Sequence, residues 1–122
     1  MTSKATRVLI ADDHRRALDG LRDLLETWPE IQVVGEARDG GELLDAIEQT
    51  NPQVVITDVR MPHIDGLQAT RSIRSQWPNV RVIVLSIHPE LEREALDAGA
   101  EAFLNKGDPP DRLRKAIQVK ES

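Results

Sequence analysis

Five polar side chains interrupt the apolar runs of this sequence where a reactive site needs them. Asp12 and Asp13 follow Val8-Leu9-Ile10, Asp58 follows Val54-Val55-Ile56-Thr57, Ser86 closes the run at 80–85, and Lys106 lies just past Ala102-Phe103-Leu104. If they meet, they supply three carboxylates, a hydroxyl and an ammonium. Two unit charges about 5 Å apart repel by roughly 3 kcal/mol at an effective dielectric of about 20, and a third carboxylate adds to that. A hard divalent cation with oxygen ligands relieves the repulsion, which points to magnesium, with manganese as the alternative. Calcium is disfavoured, because no run of alternating acids resembles an EF-hand loop. The first turn, Asp12-Asp13-His14-Arg15-Arg16, has no glycine. It therefore lacks the loop that cradles the phosphate of a nucleotide or flavin. A carboxylate can itself be a nucleophile toward phosphorus. In that chemistry Asp58 attacks, the cation and Lys106 neutralise the equatorial oxygens, and the Ser86 hydroxyl donates a hydrogen bond to one of them.

These residues meet only if the intervening chain brings them to one edge. Short β-branched apolar runs at 8–10, 31–34, 54–56, 80–85 and 102–104 read as strands. Between them apolar residues recur at helical spacing: Ala17, Leu21, Leu24, Leu25 and Trp28; Leu43, Leu44 and Ile47; Leu67, Thr70, Ile73 and Trp77; Leu91, Ala95 and Ala98; Leu113, Ala116 and Ile117. Pro29 and Pro78 end the first and third helices, because the residue before a proline avoids helical geometry. Trp28 and Trp77 sit at similar helix-to-strand junctions and read as lids on the core. Asp39 is placed to cap the second helix, Asp108 the last, and Gly99 to end the fourth in the left-handed conformation. Five β–α units in succession predict an α/β fold, a doubly wound parallel five-stranded sheet of flavodoxin-like (βα)5 type with order 2-1-3-4-5. Asp12, Asp13, Asp58, Ser86 and Lys106 then all lie at the carboxyl edge, where such sheets bind ligands.

The 122 residues suit one domain spanning 1–122. A formal net charge of −5 argues against direct nucleic-acid binding, which needs a basic face. Cysteine is absent, and no apolar segment is long enough for export or for a membrane span. The expectation is a cytoplasmic domain with no membrane contact.

The segments Arg7–His14, Val55–Gly66, Val84–His88 and Ala98–Lys106 resemble the four motifs of bacterial two-component response-regulator receiver domains. The likeness covers essentially the whole chain. Asp12-Asp13-His14 and Leu85-Ser86-Ile87-His88 most resemble the NarL/LuxR-type transcription regulators. The resemblance implies that Asp58 takes a phosphoryl group from a phosphohistidine of a sensor histidine kinase. It implies a magnesium site of Asp13, Asp58, the Arg60 backbone carbonyl and, mainly through water, Asp12. Ser86 and Phe103 would be a switch pair acting on the α4–β5–α5 surface, and Arg60 and His88 would modulate the lifetime of the phosphate. Pairing with a second copy on phosphorylation, and DNA binding through a separate C-terminal helix-turn-helix domain, are further expectations. The domain would catalyse only its own phosphoryl transfer and dephosphorylation.

Blander readings stand beside these. Asp13 serves equally as a helix cap, Ser86 as a partner for backbone, Phe103 as a fixed core residue, and single histidines at 14 and 88 say little. A magnesium-dependent phosphatase of this kind typically carries an acid two positions after its nucleophile, where this chain has Arg60. A stand-alone or phosphate-independent receiver acting as an interaction module is the other alternative. Ser86 and Lys106 are 20 positions apart, shorter than the family's usual spacing. The shortening falls at 87–91, so a late or short fourth helix is expected. Gly107 stands where many receivers have proline, and Ala102 where glycine is common.

Overall fold

A computed structural model describes residues 5–118. The chain alternates strand and helix: β1 (Thr6–Ala11), α1 (Arg15–Glu26), β2 (Ile31–Ala37), α2 (Gly40–Thr50), β3 (Val54–Thr57), α3 (Gly66–Gln76), β4 (Arg81–Ser86), α4 (Glu92–Ala98), β5 (Ala102–Asn105) and α5 (Pro110–Ile117). The strands form one parallel sheet in the order β2-β1-β3-β4-β5. This is the doubly wound, flavodoxin-like arrangement expected from the sequence.

Strand geometry explains why the central runs are apolar without interruption. Successive side chains point to opposite faces, and both faces are covered by helices. Leu9, Val55, Val82 and Val84 belong to one core cluster, together with Leu43 and Ile47 of α2, Leu67 and Ile73 of α3 and Ala95 of α4. Val8, Ile10, Val54, Ile56 and Ile83 face the other, with Leu18 and Leu25 of α1 and Leu113 and Ile117 of α5. Leu18 is completely buried, although the apolar stripe read for α1 omitted it. Trp28 is buried and Trp77 packs half-buried on the first cluster, so both act as core lids.

Helix ends follow local chemistry. Asp39 and Asp65 accept backbone N–H bonds from Glu42 and Gln68, both at 2.8 Å, and so cap α2 and α3. Gly99 ends α4 at φ 114°, as expected. Asp108 does not cap α5: its carboxylate accepts from the Asn105 backbone N–H at 3.0 Å, and Pro109 occupies the N-cap position. The fourth helix is indeed short and late. A 3-10 turn at Pro89–Leu91 comes first, leaving α4 seven residues.

In a parallel α/β sheet every helix C-terminus, with its orphan carbonyls and negative dipole end, lies toward the amino edge. Arginines meet three of these regions. Arg7 donates to Thr50 O and Asn51 O at the end of α2, Arg74 to Pro78 O beyond α3, and Arg81 to Ala116 O and Ile117 O in α5. Elsewhere, Glu36 of β2 accepts from both Arg22 and Arg15 of α1. Burial alone would raise the Glu36 pKa, but the two guanidinium groups outweigh it and hold the pKa below 4.5. A depressed folded pKa gives stability that is present above the unfolded value and lost as pH falls through the folded one. Glu36→Gln is therefore expected to cost about 1 kcal/mol or less near neutral pH. Its melting temperature should fall less steeply than that of the parent as pH is lowered below 4.5, measured by thermal unfolding across that range.

Candidate phosphoacceptor and metal site

The sheet register places the site. Ala11 lies opposite both Ala37 and Thr57, Thr57 opposite Val84, and Ser86 opposite Asn105. Asp12, Asp58 and Lys106 are each the residue after a strand, so their side chains emerge at the carboxyl edge. Backbone bonds fix them there: Asp12 N–H donates to Ala37 O, Asp58 N–H to Ala11 O and Lys106 N–H to Ser86 O, at 3.0–3.1 Å.

Asp12 and Asp58 are 4% and 8% exposed, a degree of burial that demands partners for their charge. Lys106 Nζ supplies one to each, donating to Asp12 Oδ2 at 2.6 Å and to Asp58 Oδ2 at 3.0 Å. The second Asp58 oxygen accepts from Val59 N–H at 2.7 Å, and the second Asp12 oxygen from His14 N–H at 2.9 Å. Burial works against the charge on Lys106, but hydrogen bonds to Asp12 and Asp58 and their negative charges prevail, raising its pKa above 10.5. Lys106 therefore carries a full positive charge at neutral pH.

Asp13 is exposed and belongs to the same group. Single ligand atoms from Asp12, Asp13, His14 and Asp58 lie within 4.8 Å of one another. The sequence joined the three acids but set His14 aside. Its ring nitrogen Nδ1 lies 3.1 Å from Asp13 Oδ1, and the adjacency Asp12-Asp13-His14 was the available signal. Asp13 does not cap α1, whose N-cap His14 has no side-chain cap bond. A donor set of carboxylates, with the Lys106 ammonium already lodged between two of them, fits a hard cation such as magnesium.

The loop after Asp58 is held by close backbone contact. Gly66 N–H donates to Val59 O at 2.7 Å, and Thr57 Oγ1 donates to Asp58 O at 2.8 Å. A methyl group at Gly66 would stand 1.9 Å from the Asp58 carbonyl oxygen. Gly40 N–H donates to Ile64 O, tying the same loop to the start of α2. Arg60 is exposed on this loop.

Ser86 is fully buried, and its hydroxyl oxygen accepts from His88 N–H at 3.0 Å. Its own proton is left to donate. His88 is half-buried, with Nδ1 3.6 Å from Glu90. Phe103 lies opposite Val84 in the sheet and packs, partly exposed, on the first core cluster. The four residues Asp12, Asp13, Asp58 and Lys106 thus converge directly, whereas Ser86, His88 and Phe103 belong to the adjoining β4–β5 side.

Residues 8–118 match the model of the response regulator receiver domain family. The chain belongs to that family. Receiver relatives include the transcriptional regulatory protein YhcZ of Bacillus subtilis, 42% identical over 115 residues, covering 93% of this chain and 54% of the relative. Response regulator UvrY of Escherichia coli is 38% identical over 113 residues, covering 91% of this chain and 52% of the relative. The signal receiver domain of NarL from Mycobacterium tuberculosis superposes with a TM-score of 0.88 at 35% identity, covering 94% of each chain. The isolated receiver domain of RcsB from Salmonella enterica, determined with the phosphomimetic BeF3−, gives 0.84 at 33% identity, covering 93% of this chain and 86% of that one. These are regulators of NarL/LuxR type, in keeping with two-component signalling. The receiver chain spans about half the length of the curated relatives it matches. No helix among the described residues is long and apolar enough to cross a membrane.

Proposed function

We propose that this receiver is a phosphorylation-controlled switch in which Asp58 accepts a phosphoryl group from the phosphohistidine of a sensor kinase. The observation that carries this reading is the Lys106 ammonium bonded to both Asp12 and Asp58 at a sheet edge that also gathers Asp13. A carboxylate oxygen of Asp58 forms the bond to phosphorus as the phosphorus–nitrogen bond breaks, and the leaving imidazole takes up a proton. Lys106 swings from pairing two carboxylates to pairing a phosphoryl oxygen with its neighbours. The Ser86 hydroxyl donates to another oxygen while still accepting from His88 N–H.

Asp12, Asp13, Asp58 and the Arg60 carbonyl would hold magnesium, which supplies positive charge against the phosphoryl oxygens. Movement of Ser86 toward the phosphoryl group frees space that Phe103 enters, altering the surface of α4, β5 and α5. The output is transcriptional, through a helix-turn-helix DNA-binding domain elsewhere in the protein and pairing of two copies, in the cytoplasm. That reading is supported by relatives named as transcriptional regulators and by RcsB, recorded as dimers on DNA. The domain itself turns over no external substrate.

Incubation with a small phosphodonor and magnesium, followed by intact-mass measurement, is expected to show one added phosphoryl group, absent in Asp58→Asn. An unchanged mass in the parent protein would overturn the reading. Arg60 and His88 stand two positions after Asp58 and Ser86 respectively, so Arg60→Ala or His88→Ala should alter the acyl-phosphate half-life several-fold. Equal half-lives in the parent and both variants would remove them from that role.

A further inference from the structure

Helix α5 is held to the domain by few buried side chains. Leu113 and Ile117 are its buried side chains, both packed on the second core cluster. On its α1 side a cleft of about 270 Å³ separates it from Leu21 and Leu24. Its first turn has no side-chain cap. What fastens it otherwise is a pair of arginines acting near its C-terminal end.

Arg81 opens β4 and donates to Ile117 O at 2.8 Å, Ala116 O at 2.6 Å and Gln118 O at 3.4 Å. The same guanidinium is held by both carboxylate oxygens of Glu101 at 2.9 Å, and the Glu101 N–H is bonded to Val82 O. Arg81 is thereby fixed to β4 and to the residue that precedes β5 while it gathers three carbonyls at the helix end. Arg114, on α5 itself, makes a two-pronged pair with Glu30 and lies 5.4 Å from the centre of the Trp28 ring. Both systems are charge-assisted, and both are open to water: Glu101 and Arg114 side chains are 41% and 38% exposed. Salt therefore weakens them, whereas it does not weaken the burial of Leu113 and Ile117.

We propose that α5 is an electrostatically latched helix. It opens as a unit from the folded sheet, with Arg81 and Arg114 as the two latches. Because α5 follows β5 in sequence, its departure breaks no strand pairing. Opening exposes Leu113, Ile117 and the α1 side of the cleft.

Native-state hydrogen exchange on the 122-residue protein, read amide by amide by NMR, tests this. Raising sodium chloride from about 0.05 M to about 1 M shortens the screening length to about 3 Å. Exchange at amides 113–118 is then expected to rise at least tenfold relative to amides of β1 and β3. Arg81→Ala and Arg114→Ala should each produce that rise at low salt, with Arg81→Lys nearer the parent. If α5 amides keep pace with β1 amides throughout, α5 leaves only with global unfolding and the latch is refuted. The salt series needs no substitution, so it decides the matter even if a variant fails to fold.

Discussion

Lys106→Ala is expected to slow phosphorylation of Asp58 by about a hundredfold to a thousandfold, the usual cost of removing one group that stabilises transition-state charge. The same substitution should tighten magnesium binding. Lys106 donates to Asp12 and Asp58 together, so it is the counter-charge that lets two nearly buried carboxylates coexist. Without it they repel, by roughly 3 kcal/mol if about 5 Å apart at an effective dielectric of about 20. A divalent cation relieves that repulsion and gains affinity by doing so. The phosphoryl group gains nothing comparable, because its equatorial oxygens lose the ammonium they would pair with. Phosphorylation kinetics by intact mass and a magnesium titration by calorimetry should therefore move in opposite directions. If both weaken together, Lys106 supports the fold of the site and does not balance its charge.

Gly66→Ala is the second large effect. The added methyl would meet the Asp58 carbonyl oxygen at 1.9 Å, its carbon at 2.9 Å and Val59 Cα at 3.0 Å. All three are backbone atoms and cannot turn aside as a side chain would. The loop must shift, and with it the peptide that carries the nucleophile. Urea unfolding should show a loss of about 1–3 kcal/mol, in the range of overpacked or strained sites. Phosphorylation should fall even under conditions where the variant is fully folded. Gly20→Ala is the natural comparison. An added methyl at Gly20 meets nothing within 4 Å, and Gly20 lies inside α1, so alanine should stabilise by about 0.5–1 kcal/mol. A Gly66→Ala protein as stable and as reactive as the parent would show that the loop is not held against Asp58.

Much of this architecture was legible in the sequence because two periodicities and a few terminators are local. Val8-Leu9-Ile10 and Val54-Val55-Ile56 mark strands buried on both faces, and an acid two positions after each, just past the strand end, emerges at the carboxyl edge. The spacing from Ser86 to Lys106 told of a short fourth helix for a reason of length alone. What a linear sequence does not display depends on long-range geometry. Arg7, Arg74 and Arg81 look like ordinary surface charges until the helix ends they satisfy are folded against them, with Arg81 and Ile117 separated by 36 positions. Leu18 was missed because the stripe drawn through Ala17 and Leu21 is offset from the side facing the sheet. Asp108 reads as a cap from its place before two prolines, but the turn after β5 claims its carboxylate first.

The decisive measurement is to locate the phosphoryl group. Protein treated with a phosphodonor, with and without magnesium, is trapped with borohydride and mapped by peptide mass spectrometry. Modification is expected at Asp58 alone, and only when the divalent ion is present. Modification at another residue, or equal labelling after the metal is chelated, would contradict that expectation.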